Sequence, residues 1–118
     1  MVTATATQKS PEIASADLTA RFLKGLTDVT RVRIMKLLLE EGGLTVGDIV
    51  KRLGAQQGRV SSHLACLRWC GFAVSYREGR NVYYTVADPR VKDLIRTAEA
   101  IVKDNAERVL SCQTIGQA

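Results

Sequence analysis

The sequence has few of the features that characterise secreted or membrane proteins. It contains three cysteines, two prolines and one histidine among 118 residues. No run approaches the roughly 18 to 20 consecutive apolar residues that span a bilayer, and the opening MVTATATQKSPE lacks the basic-then-apolar order of a secretory signal. We therefore expect a cytoplasmic protein without a membrane partner, in which the cysteines are reduced thiols rather than a disulfide framework.

Chain length and charge indicate one small basic domain. Seventeen Lys and Arg against twelve Asp and Glu give a formal charge of +5, and the isoelectric point is near 9.4. This excess favours a polyanionic partner, although a merely basic protein is the alternative. The opening residues have no apolar period, so we predict a flexible tail at residues 1–11, one domain at residues 12–112 and a C-terminal tail at residues 113–118.

The middle of the chain predicts a helix-turn-helix. Asp28 can cap a helix that Gly42 and Gly43 end, and Thr45 can cap a short helix that turns at Gly54. A further helix then runs to Gly71, where the pattern breaks. Its apolar side chains recur three and four residues apart, at Val60, Leu64 and Leu67. Two short helices joined by a tight turn that contains glycine form this motif.

A β-hairpin is predicted directly after the second of these helices. Apolar and polar residues alternate from Phe72 to Arg77, and a second β-rich run extends from Val82 to Val86, with Gly79 at the turn. The tip carries Arg77, Arg80 and Asn81, which suits a wing against a phosphate backbone. The predicted fold is therefore mainly α with a β-hairpin wing, that is, an α+β winged helix-turn-helix.

The last helix is predicted to need a partner. Pro89 can open a long helix whose apolar stripe extends as far as Val109, and the helix after Glu12 also carries an apolar face. Because so small a core cannot cover both stripes, we expect a homodimer, with internal packing of the stripes as the alternative. A two-fold dimer would place two recognition helices about 34 Å apart, in successive major grooves.

The first turns of the second motif helix carry small polar side chains that suit double-stranded DNA. Gln can pair with adenine and Arg with guanine, while Ser hydroxyls serve bases or phosphates. The alternative is a solvated helix face. The lone histidine, His63, is more typical of a packed or phosphate-contacting residue than of a metal ligand. The predicted DNA-binding residues are Gln57, Arg59, Ser61, Ser62, His63, Arg77, Arg80 and Asn81.

These segments together resemble the ArsR/SmtB family of metal-responsive repressors. The similar stretches are GLTDVTRVRIMKLL, RVSSHLACLRWCGFAV and REGRNVYYTVAD, which begin at Gly25, Arg59 and Arg77. The resemblance implies a homodimeric winged-helix repressor that a metal ion releases from DNA. Two positions depart from the family pattern: Val29 stands where proline is usual, and Gly58 where a DNA-contacting serine is common.

The resemblance also implies a metal site, because members differ in where the ion binds. The arsenic-type cysteine motif is missing from Leu44-Thr45-Val46-Gly47-Asp48, and residues 89–111 contain no histidine for the zinc-type site. The remaining cysteines are similar to the ligands of the cadmium and lead sensors of the family. The implied metal ligands are Cys66, Cys70 and Cys112, the last from its own chain or from the other protomer.

The chemistry of the cysteines is compatible with this site. Residues four apart on a helix have Cβ atoms about 5 to 6 Å apart, which allows chelation but exceeds the roughly 3.5 to 4.5 Å of a disulfide. Three thiolates favour the soft ions Cd(II), Pb(II) or Hg(II), whereas Zn(II) generally takes a fourth ligand. The alternative is that Cys66 and Cys70 are small buried hydrophobes.

The resulting hypothesis is a repressor that needs no cofactor to bind operator DNA and loses affinity when a soft ion binds. A regulator that senses oxidants, persulfides or electrophiles through a reactive thiol is the main alternative. We expect no enzyme, because the sequence offers no nucleophilic Cys–His arrangement or paired carboxylates.

Overall fold

The computed structural model describes residues 11–112, with side chains from Ser15 onward. These residues form six helices and one two-stranded antiparallel hairpin. In chain order the elements are α1 (Pro11–Lys24), α2 (Val29–Glu40), α3 (Val46–Leu53), α4 (Gln57–Trp69), β1 (Ala73–Glu78), β2 (Asn81–Val86), α5 (Arg90–Asp104) and α6 (Ala106–Ser111). The predicted α+β winged helix-turn-helix is confirmed. Apart from Pro11, which begins α1, the two predicted tails lie outside the described residues.

The starts of α2 and α3 are defined by side-chain caps. Asp28 Oδ1 accepts hydrogen bonds from the backbone N–H groups of Thr30 and Arg31, at 2.8 and 3.2 Å. Thr45 and Asp48 form a reciprocal capping box, in which each side chain accepts the other's backbone N–H at 3.1 and 3.0 Å. These bonds hold the pKa of Asp48 below its usual range. Both predicted caps are therefore confirmed.

The core of the first compact unit, which ends at Ala87, gathers the apolar faces of α2, α3 and α4 around the base of the hairpin. Phe72 is fully buried and stacks on Phe22 of α1, with ring centroids 4.2 Å apart. A Cβ at Gly25 would lie 2.7 Å from the Phe72 ring, so only glycine allows this approach. The buried apolar side chains of the unit are Ile34, Met35, Leu38, Leu44, Ile49, Val60, Leu64, Leu67, Phe72 and Ala73.

The hairpin is joined to the helix-turn-helix at its base. Its register runs from Ala73 opposite Val86 to Glu78 opposite Asn81, and Gly79 takes the left-handed conformation that the tight turn needs, with φ of 63°. Leu44, between α2 and α3, exchanges two backbone hydrogen bonds with Tyr84 of β2, at 3.1 and 2.8 Å. The hairpin is therefore hydrogen-bonded to the segment that joins α2 and α3.

The second compact unit begins at Asp88 and contains α5 and α6. The Arg90 side chain and backbone N–H donate to the Asp88 carboxylate and lower its pKa to about 2. The expectation of one helix through Val109 is wrong, because the helix breaks at Asn105, whose side-chain amide donates to the Ile101 carbonyl at 2.9 Å. The prediction that residues 12–112 form one domain stays a prediction.

Burial changes along the apolar stripe of this second unit. Val91 and Ile95 are buried, whereas Ile101, Val102 and Val109 are exposed. Leu110 on α6 is 87% exposed. The stripe therefore leaves apolar surface uncovered beyond its first turns. Within residues 11–112, no helix is both long and apolar enough to cross a membrane.

Candidate functional site

Helix α4 has two distinct faces, as its sequence predicts. Val60, Leu64 and Leu67 are fully buried and fix the helix against the core. The predicted DNA-reading side chains near its start lie exposed, namely Gln57, Arg59, Ser61 and Ser62. These side chains can form hydrogen bonds with base edges, and an α-helix fits into the major groove of DNA.

The first turn of α4 lacks the side-chain cap that α2 and α3 possess. Gln56 is the N-cap residue, and within the described residues its side chain makes no capping hydrogen bond. The leading N–H groups therefore keep the partial positive charge of a helix N-terminus, which suits a phosphate. The sequence signal for this is the absence of Ser, Thr, Asp or Asn directly before Gln57.

The wing places its polar residues at the tip, away from the core. Arg77, Arg80 and Asn81 are all exposed, and the Asn81 side-chain amide donates to the Tyr83 hydroxyl at 3.4 Å. Tyr83 stacks on Tyr76 across the hairpin, with ring centroids 5.6 Å apart. The aromatic pair contributes a cross-strand contact that supports the hairpin below its tip.

His63 differs from the other predicted DNA-binding residues, because it faces α2. Its side chain is only 16% exposed, and its Nδ1 accepts a hydrogen bond from Arg31 Nε at 3.1 Å. Its Nε2 lies 3.7 Å from Asp28 Oδ1. Burial raises the pKa of Asp28, but the Arg31 N–H bond and the His63 ring bring it below its ordinary value. A DNA contact by His63 stays a prediction.

The cysteine pair lies at the other end of α4. Cys66 is within the helix and Cys70 is its C-cap, whose N–H donates to the Cys66 carbonyl at 3.0 Å. Both side chains are half-buried, and the two thiols are near enough for Cys66 to affect the pKa of Cys70. Burial and the neighbouring Cys66 raise the pKa of the Cys70 thiol, while the Arg31 charge opposes this rise. The pair is therefore close enough to share an ion.

The structure brings together two of the three predicted metal ligands. Cys66 and Cys70 supply adjacent sulfur donors, which fit a soft divalent ion. Cys112 belongs to the second unit, directly after α6, and is half-buried. Among residues 11–112, no group of three or more His, Cys, Asp or Glu side chains is arranged to hold a metal ion.

Comparison with known sequences identifies relatives that are regulators. A family model described as "Bacterial regulatory protein, arsR family" matches residues 28–75. A probable mercury resistance operon repressor of Streptomyces lividans is 40% identical over 99 residues, which cover 84% of this chain and 78% of that protein. The transcriptional regulator CmtR of Mycobacterium bovis is 37% identical over 103 residues, which cover 81% and 86%.

Solved structures agree with these sequence relationships. The homodimeric winged helix-turn-helix DNA-binding domain of a possible ArsR-family regulator from Mycobacterium bovis superposes with a TM-score of 0.76 at 28% identity, covering 87% of this chain and 94% of that one. NolR from Sinorhizobium fredii gives 0.71 at 27% identity, covering 78% and 92%. The relatives are transcriptional regulators, which confirms the expectation that the chain is no enzyme. The chain belongs to the ArsR/SmtB family of transcriptional repressors.

Proposed function

We propose that this repressor binds operator DNA as a homodimer and is released when a soft metal ion binds its cysteines. The observation that carries the proposal is that one helix bears both parts. The start of α4 presents exposed polar side chains, and its end holds the neighbouring thiols of Cys66 and Cys70. An ion that shifts the end of α4 therefore acts on the element that contacts DNA.

In this proposal, α4 enters the major groove and the hairpin lies along the adjacent backbone. Gln57, Arg59, Ser61 and Ser62 read base edges or phosphates, and the uncapped first turn binds a phosphate. Arg77, Arg80 and Asn81 contact the backbone and set the register. The formal charge of +5 attracts the duplex, so affinity falls steeply with salt.

The proposed homodimer covers the apolar surface of α1 and of α5–α6. Leu18 and Leu23 are exposed on α1, and the later part of the stripe from Ile101 onward is exposed in the second unit. Exposed apolar surface of this kind on several helices is typical of an interface between copies. The homodimeric state of the Mycobacterium bovis neighbour supports the same assembly.

The proposed effector is Cd(II), Pb(II) or Hg(II), bound by the thiolates of Cys66, Cys70 and Cys112 in the reducing cytoplasm. Sulfur donors prefer such ions, and a three-thiolate set lacks the fourth ligand that Zn(II) generally takes. A relative described as a probable mercury resistance operon repressor supports a soft ion. DNA binding itself needs no cofactor, and Cys112 comes from the same or the partner chain.

Release follows from coupling between the two ends of α4. Drawing three sulfur atoms to one ion restrains the end of the helix and tilts the turns that read DNA. Typical couplings of about 1 to 3 kcal/mol change affinity roughly 5- to 150-fold, and DNA weakens ion binding by the same factor.

Two observations disfavour Cys70 as the reactive thiol of a sensor of oxidants or electrophiles. The reactive form of cysteine is the thiolate, and burial raises the pKa of the Cys70 thiol. The i and i+4 positions of the pair also disfavour a disulfide between Cys66 and Cys70.

The test is a titration of the reduced protein with Cd(II), Pb(II), Hg(II) and Zn(II). Ultraviolet thiolate-to-metal absorption reports binding, and affinity is measured in parallel for a duplex that the metal-free protein selects from a random pool. We expect the soft ions to weaken duplex binding, with Mg(II) as the inert control. Unchanged duplex affinity at saturating Cd(II), Pb(II) and Hg(II) would refute the sensor function.

The ligand set is tested by single Cys→Ser variants. Cys66→Ser, Cys70→Ser and Cys112→Ser should each lower ion affinity and leave metal-free duplex binding largely intact, with Ser111→Ala as the neighbouring control. If Cys112→Ser binds ions as the parent does, only two protein thiolates form the site.

A further inference from the structure

One residue of α2, Arg31, joins three parts of the first compact unit. Its Nε donates to Nδ1 of His63 in the middle of α4, at 3.1 Å, and one terminal nitrogen donates to the Gly25 carbonyl before α2, at 3.5 Å. Its backbone N–H donates to the side chain of Asp28, the residue that caps α2. The start of α2, the turn before it and the middle of α4 therefore meet at Arg31.

The bond between Arg31 and His63 is suited to holding α4 in place. The His63 side chain is 16% exposed and Arg31 is half-buried, so water competes little for the bond. The guanidinium is a charged donor, which makes the bond stronger than one between neutral groups. Because Nδ1 accepts from Arg31, the proton of the neutral ring is on Nε2, which lies 3.7 Å from Asp28 Oδ1. Both ring nitrogens thus face the start of α2.

His63 lies next to the residues that are proposed to read DNA. Ser61 and Ser62 directly precede it, and Arg59 lies one turn earlier on the same helix. The buried side chains of α4, such as Leu64, restrain the helix by shape alone, whereas a hydrogen bond also fixes a direction. Hydrogen bonds to base edges need donor–acceptor distances within roughly half an ångström, so a small rotation of α4 would lose them.

We propose that Arg31 and His63 are positioning residues for base recognition. Their bond sets the orientation of α4 relative to α2 and thereby determines how well the protein distinguishes its operator from other DNA. In this role His63 acts through Arg31 and does not itself contact the duplex. The inference rests on the proposed function, but only on the part that concerns DNA binding by the metal-free protein.

Base recognition and phosphate binding respond differently to the loss of this bond. Phosphate contacts supply most of the affinity that is independent of sequence, whereas contacts to base edges carry the specificity and are directional. A rotated α4 therefore weakens binding to the operator more than binding to unrelated DNA. A mere loss of stability would lower the folded fraction, and with it both affinities, by the same factor.

The experiment measures a discrimination factor in full-length, metal-free protein. This factor is the affinity for a duplex that the parent selects from a random pool, divided by the affinity for a scrambled duplex of the same composition. Arg31→Met and His63→Leu each remove one partner of the bond. His63→Asn is the rescue variant, because its side-chain oxygen can accept a hydrogen bond where Nδ1 lies. Arg33→Met is the matched control for the lost charge, since Arg33 is exposed on the same helix.

We expect Arg31→Met and His63→Leu each to lower the discrimination factor by about tenfold or more, the effect of losing a hydrogen bond to a charged group. The double variant should lose no more than either single variant, because both changes remove the same bond. His63→Asn and Arg33→Met should keep the discrimination factor within about twofold of the parent. Thermal unfolding shows whether each variant remains folded.

Parent-like discrimination in Arg31→Met and His63→Leu would overturn the inference and leave the proposed function standing. A loss confined to one of the two residues would also overturn it, and a loss confined to His63 would indicate a direct DNA contact by that side chain. If the parent itself does not distinguish the two duplexes, the proposed function fails and this inference fails with it. Should Arg31→Met not fold, Arg31→Lys takes its place, because it keeps the charge without the directed Nε donor.

Discussion

The two ends of α4 meet opposite physical requirements within one short helix. Its start is exposed, polar and without a side-chain cap, so its donors and acceptors can exchange water for DNA. At its end the two thiols are half-buried, and Gly71, with φ of 88°, terminates the helix behind them. Binding of a polymer demands access, whereas chelation demands fixed sulfur positions.

The buried face between these ends makes them dependent on each other. Val60, Leu64 and Leu67 are all fully buried, so the close packing of one continuous face holds both ends of α4 against the core. The proposed DNA-binding and ion-binding sites therefore lie apart on the same helix, and a shift of that helix affects both. Substitutions at each end test whether DNA binding and ion binding can be separated.

The largest expected effects are a loss of ion affinity at the end of α4 and a loss of duplex affinity at its start. Cys66→Ser should lower Cd(II) affinity by at least about 100-fold, because changes outside the ligand shell alone reach 10- to 100-fold. Arg59→Ala should lower metal-free duplex affinity by about 1 to 3 kcal/mol if Arg59 pairs with a base. Each variant is measured for both ligands. A Cys66→Ser protein that loses duplex affinity as Arg59→Ala does would show that the ends are not separable.

Metal affinity should rise with pH. Burial and Cys66 raise the pKa of Cys70, so this thiol is protonated below that pKa and must lose its proton when an ion binds. The apparent Cd(II) affinity should therefore increase about tenfold per pH unit for each proton displaced between pH 6 and 8. Cys70→Ser should reduce the slope by about one proton, and an unchanged slope would exclude Cys70 as a ligand.

Cations at the DNA-facing surface and at the thiol end should differ in salt dependence. Arg80→Ala should weaken duplex binding similarly for all sequences and reduce the slope of log affinity against log salt by about one. Arg68 is exposed near the end of α4 and serves as the control, with little expected change in slope. Equal changes in both variants would mean that the duplex covers the whole helix.

The smallest expected effects concern stability. A Cβ at Gly58 meets no atom within 4 Å, so Gly58→Ala should stabilise the protein by up to about 1 kcal/mol through helix propensity. At the opposite end, Gly71→Ala should destabilise it by about 1 kcal/mol or more, because of the positive φ. Urea unfolding of both variants measures the difference, and a stabilised Gly71→Ala protein would contradict the assigned cap.

The motif and wing could be predicted because their signals are local. Thr45 caps within three residues, and Gly54, Gly71 and Gly79 each mark a left-handed backbone position in sequence. The break at Asn105 was missed because the apolar stripe continues past it, while one side-chain amide competes for a backbone carbonyl.

The candidate site was predictable only in part. The adjacency of Cys66 and Cys70 follows from helical spacing alone. The inward orientation of His63 depends on Arg31, which lies 32 residues earlier in the chain, and no local pattern encodes such a pairing. Whether Cys112 completes the set depends on assembly, which helical periodicity does not determine.

The paired backbone hydrogen bonds of Leu44 and Tyr84 have a consequence for the DNA itself. They connect the hairpin to the segment that precedes α3. The distance between the arginines at the wing tip and helix α4 is therefore constrained. Such a protein binds best to DNA in which the distance between the major groove and the neighbouring phosphates matches this constrained distance. Base pairs that it never touches would then contribute to its selectivity, through the groove width that they impose.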